Sequence, residues 1–113
     1  MNLPYNQPPI NVKLSNEELN EFISYLIKCY EMLLEDNTST TNILLVYKYH
    51  LIELINKTVQ KRIKAYNQPL KAAIKIKVNE IEQHLVSILF SRYECSPFLL
   101  QMQPRFINGL IKL

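Results

Sequence analysis

From Ser15 onward the apolar positions fall three and four residues apart, the spacing that gathers side chains on one face of an α-helix. Leu19, Phe22, Leu26, Cys29 and Leu33 make the first stripe, and Ile23, Tyr30 and Leu34 widen it to one side. Ser15 followed by Glu18 is a capping-box signature: the hydroxyl can accept from the third backbone amide while the carboxylate reaches back to the cap. Helix 1 is therefore expected from Ser15 to about Glu35, ending at the polar run 36–41.

A second helix is predicted from about Asn42 to Tyr66. Its first half, Ile43 to Ile55, is apolar nearly all round, as in a helix with neighbours on several sides. A strand over Ile43–Tyr49 is the rival, rejected because the pattern continues through Val59 and Ile63 at helical spacing. Pro69 forces a break and suits the first turn of a third helix, expected from about Pro69 to Tyr93. Leu70, Ile74, Val78, Ile81, Leu85 and Ile88 would form its seam. The short connection Asn67-Gln68 predicts that helices 2 and 3 fold into an antiparallel hairpin. Ser96-Pro97 marks the cap and first turn of a short C-terminal helix, which Pro104 interrupts.

Ahead of these, residues 1–14 carry three prolines and read as an extended arm, within which the alternation of Ile10-Asn11-Val12-Lys13-Leu14 admits a short strand. The expected fold is all-α: a small antiparallel bundle of three long helices plus a short C-terminal helical segment, a single domain over residues 15–113 behind an extended N-terminal arm. Tyr5-Asn6-Gln7-Pro8 recurs at Tyr66-Asn67-Gln68-Pro69, and six of sixteen positions agree when residues 16–31 are laid on 79–94. Two amphipathic helices share that much by composition, so coincidence is the simpler account. A true duplication would relate helices 1 and 3 by a pseudo-twofold axis.

Composition narrows the chemistry. The 113 residues include one glycine, Gly109, which leaves no material for a phosphate-cradling loop. Cys29 and Cys95 form no Cys-x-x-Cys pair, and the N-terminal residues lack the basic and apolar blocks of a secretion signal. A cytoplasmic protein is expected, with no membrane span. His50 with Glu53 and Glu80 with His84 offer a histidine and a carboxylate on each of two helices, but without the Glu-x-x-His order and the further carboxylates of a bundle metal site. Cys95 precedes a helix start, where a thiol pKa can fall, and is read as inert. No nucleophile–base pair is present; no catalytic residue, metal, cofactor or small-molecule substrate is expected, and the protein is read as no enzyme.

Charge is distributed unevenly although the net charge is only +3. Six acidic residues lie between Glu17 and Asp36. Seven basic residues and no acidic one lie between Leu54 and Asn79: Lys57, Lys61, Arg62, Lys64, Lys71, Lys75 and Lys77. In a helix 2–helix 3 hairpin these would meet at the closed end, as a patch for an anion or nucleic acid. The apolar tail, with Phe98, Leu99, Phe106, Ile107 and Leu110, is the candidate interface: it must cover a groove of the bundle or dock on another chain. The first expectation is thus a non-enzymatic, self-associating protein–protein interaction module, a homo-oligomer or partner of another protein. The alternative is a small nucleic-acid-binding accessory protein.

Overall fold

Five residues that alternate apolar and polar, Ile10–Leu14, form strand β1, and the alternation decides which way each side chain points. Val12 and Leu14 are 1% exposed while Asn11 and Lys13 face outward. The computed structural model describes residues 9–35, 48–69 and 73–107. Ser15 turns the chain directly from β1 into helix α1, Asn16–Glu35, with the expected capping box: the Ser15 amide donates to Glu18 Oε1 at 2.8 Å and the Glu18 amide to Ser15 Oγ at 3.1 Å. Leu19, Phe22, Ile23, Leu26, Cys29 and Leu33 are buried, as the stripe predicts.

Helix α2 is described over Lys48–Lys64 and packs against α1 through Leu51 and Leu54. Thr58, also buried, returns its hydroxyl to the Leu54 and Ile55 carbonyls of its own helix. The start expected near Asn42 lies outside the described residues.

The all-α expectation is overturned at residues 74–78. Ile74–Val78 is a strand, β2, paired antiparallel with β1, and the helix expected from Pro69 begins only at Glu80. Ile74-Lys75-Ile76-Lys77-Val78 alternates buried and exposed along its length, with β-branched residues at every buried position. A helix there would have put Ile76 on the wrong face and left it in water. In the strand it is fully buried against Val12. Asn79 then caps helix α3, Glu80–Arg92, with a second complete capping box through Glu82. The antiparallel hairpin of two long helices is therefore absent, and the arm expected over residues 1–14 supplies half of a two-stranded ribbon.

The C-terminal segment keeps its cap signal, but the interruption expected at Pro104 falls earlier, at Gln101-Met102. Ser96 caps α4, Pro97–Leu100, and Pro104 lies in the first turn of α5, Gln103–Ile107, where its missing N–H is tolerated. The core lies between the inner face of the ribbon and the helices. Phe106 stacks on Phe22 with ring centroids 4.7 Å apart, and Tyr25 packs on Phe90 at 5.2 Å. The Tyr25 hydroxyl reaches the Leu89 and Tyr93 carbonyls, at 2.8 and 2.9 Å, at the end of α3.

Candidate nucleic-acid interface

Pairing fixes what the outer face of the ribbon presents. In the antiparallel register Asn11 stands opposite Lys77 and Lys13 opposite Lys75, and all four are exposed. Directly opposed side chains have their Cβ atoms roughly 4.5–5.5 Å apart. Three ammonium groups and one carboxamide thus share a face two strands wide and five residues long, with no carboxylate on it. Opposed like charges weaken a strand pair. Lys13 and Lys75 are such a pair, so this face is arranged against the ribbon's own stability while its inner face supplies the hydrophobic burial.

The expected basic patch is redistributed by the strand. Lys61 and Lys64, in the last turns of α2, line a shallow depression with Ala73, Ile74 and Lys75, so they flank one edge of the ribbon. Lys77 lies on its outer face. Arg62 lines a separate depression with Asn16, Asn20, Ile63, Tyr66 and Asn67. Lys71 falls outside the described residues. Lys57 belongs to the scaffold: its Nζ donates to the Lys77 carbonyl at 2.8 Å and to both oxygens of the buried Glu82 carboxylate at 2.7 and 3.0 Å. A second cation does the same on β1. Arg105 Nη1 donates to the Lys13 carbonyl at 3.1 Å and to Glu18 Oε1 at 2.8 Å, and that hydrogen bond holds the Glu18 carboxyl below its ordinary pKa.

Of the candidate interface in the tail, Leu99 and Phe106 are buried in the core of the same chain and Phe98 is half-buried. The Ile107 side chain and Leu110 lie outside the described residues. The cysteines carry no activated thiol: burial pushes Cys29 up to about 11, and burial with the neighbouring Glu94 raises Cys95 rather than lowering it. Among the described residues no three His, Cys, Asp or Glu side chains come together as a metal site, and no helix is long and apolar enough to cross a membrane.

Asn11 and Lys13 are the residues that sequence reasoning missed, because they sat in a segment read as an arm. The signal was present. Ile10–Leu14 and Ile74–Val78 alternate alike, and each is followed by a capping residue with a glutamate three positions on. No family model, curated protein or solved structure matches the chain.

Proposed function

We propose that this is a non-enzymatic protein that binds double-stranded DNA by laying the outer face of the β1–β2 ribbon in the major groove. The observation that carries the reading is the exposed face of Asn11, Lys13, Lys75 and Lys77, with no carboxylate among the paired residues and two lysines directly opposed across the ladder. Two strands roughly 4.8 Å apart form a ribbon narrow enough for a groove about 12 Å wide. Lysine and asparagine are also the side chains that donate to guanine and adenine edges there. Duplex RNA fits less well, because its major groove is too narrow to admit the ribbon. Single strands are disfavoured because no aromatic ring among the paired residues lies on this face to stack a base. Lys61 and Lys64 would meet phosphates along one flank. A cytoplasmic location, alongside nucleic acid, belongs to the same proposal.

The test is Lys75→Glu, read two ways. The substitution replaces a cross-strand repulsion with an attraction between Lys13 and the introduced carboxylate, so the folded state should gain about 0.2–1 kcal/mol in a denaturant titration. Binding of a labelled duplex at low salt, followed by anisotropy, should fall at least tenfold. The wild-type affinity should drop steeply with salt, with about 0.9 of log–log slope for each phosphate contacted. A wild-type chain that leaves the duplex unbound at low salt would end the reading, as would a K75E variant that binds as well as the parent.

Self-association is a second reading, supported by Ile27, Met32 and Leu34, which α1 leaves exposed. Light scattering that shows a monomer at high concentration would remove it.

A further inference from the structure

The ribbon is built from two halves that match at one fixed separation. Ser15 and Glu18 form the capping box after β1, and Asn79 and Glu82 form the one after β2, 64 positions later. The ladder gives the same number independently: its central pair, Val12 opposite Ile76, is also 64 apart, so a twofold axis through that pair exchanges the strands end for end. The two cationic clasps land on equivalent acceptors, although their donors, Lys57 and Arg105, stand 48 positions apart. Lys57, which follows α1, crosses to the Lys77 carbonyl and Glu82. Arg105, which follows α3, crosses to the Lys13 carbonyl and Glu18. Lys13 and Glu18 are the positions equivalent to Lys77 and Glu82. Helix packing follows the same plan in part: α1 rests on α2 and α3 on α5, and α2 touches β2 as α5 touches β1, whereas the packing of α2 on α3 has no counterpart of equal extent between α5 and α1.

Capping boxes are common and any antiparallel pair has a local twofold. Nothing in either requires that the caps and the ladder centre share one separation. The identities between residues 16–31 and 79–94 are 63 apart, one residue out of register with the fold, and the Tyr-Asn-Gln-Pro words are 61 apart. Neither marks the equivalence. At 64 the coincident residues within the strands and the helices that follow them are Ile10 with Ile74, Lys13 with Lys77 and Glu18 with Glu82.

From this pseudo-twofold, and resting on the DNA-binding reading above, we infer that the target is an imperfect inverted repeat, read by one chain rather than by a dimer. A twofold protein selects a site with the matching dyad. Lys13 and Lys77 occupy equivalent places, so the two half-sites should each carry a guanine there, since lysine donates to O6 and N7. Asn11 and Lys75 are the other equivalent pair and differ in chemistry. Asparagine pairs with adenine N6 and N7, so one half-site should carry adenine where the other carries a second guanine.

The experiment is selection from a pool of random duplexes by the full-length chain, repeated with Asn11→Lys. The expected winners contain two inverted half-sites that differ at one position, adenine in one and guanine in the other. Changing that adenine should weaken binding about 5- to 150-fold. With N11K the two halves become alike, and the winning site should become a perfect inverted repeat. Winners without a dyad, or duplexes retained without enrichment at any position, would overturn this inference while leaving DNA binding standing. So would an N11K selection identical to the wild type. A chain that retains no duplex at all would instead overturn the proposed function itself.

Discussion

Lys57→Met is the sharpest test of how the ribbon is held to the helices. The Glu82 side chain is 1% exposed and Lys57 is 33% exposed, and their closest approach is 2.7 Å. Removing one member of a buried pair strands the other charge, which costs about 3–5 kcal/mol when both are fully enclosed. Two features reduce that here. Water can reach the space that the partly exposed lysine vacates. The carboxylate also keeps the Asn79 amide, at 2.9 Å, and the positive end of α3, a contribution of about 0.3–1 kcal/mol. We therefore expect K57M to lose about 2–3 kcal/mol, the buried-pair figure less these two offsets. The comparison variant is Arg105→Met. Its pair is more open, with side chains 40% and 18% exposed, and its loss should be only about 0.2–1 kcal/mol.

Equilibrium urea unfolding at neutral pH, followed by the helical circular dichroism signal, measures both. A third variant separates charge from packing. In the K57M background, Glu82→Gln keeps a side chain that can serve a capping box and removes the stranded charge, so it should recover most of the loss. If K57M and R105M were equally mild, or if E82Q made K57M worse, burial would not be what sets the strength of these clasps.

Two other outcomes follow from the same contacts. The Arg105 hydrogen bond lowers the folded-state pKa of Glu18 below its ordinary 4.5, so its contribution is fully present above that value and is lost as pH falls through the lower folded value. The melting temperature of R105M should accordingly depend less on pH than that of the wild type in this acid window. Phe106→Ala should lose about 3–5 kcal/mol, because the ring is fully buried against Phe22; a loss below about 1 kcal/mol would mean that the tail is not part of the core.

Helix 1, its capping box and the Ser96-Pro97 start were legible because the signals are local: a stripe at one period and a polar residue at the right offset. The second strand was not, and the reason is specific. Ile74 and Val78 are four apart, so they satisfy a helical seam and a strand equally; Ile76 alone distinguishes the two readings. A five-residue alternation is too short to outweigh a seam that continues through Ile81 and Leu85. What makes it a strand is its partner, Ile10–Leu14, 64 positions earlier, and pairing at that range leaves no trace in a local window. Asn79 followed by Glu82 repeats the cap signature of Ser15 and Glu18, and was the one nearby sign that a helix begins at residue 80 rather than 69.

The same strand changes the meaning of the lysines. Read on a helical hairpin, the basic run was one undivided cluster at a closed end. The fold divides it by task. Lys57 is drawn inward to neutralise a buried carboxylate; Lys75 and Lys77 are turned outward by the pleat, where Lys13 joins them from the opposite end of the chain. Alternation thus separates two requirements within five residues. Ile74, Ile76 and Val78 hold the ribbon to the helices by burial, and the side chains between them are free of that duty. Because buried inner side chains and clasps on backbone carbonyls anchor the ribbon, the outer side chains can carry opposed charges that no fold would choose for its own stability. The proposal of a polyanionic partner therefore rests on the placement of the outward lysines rather than on a net charge of +3.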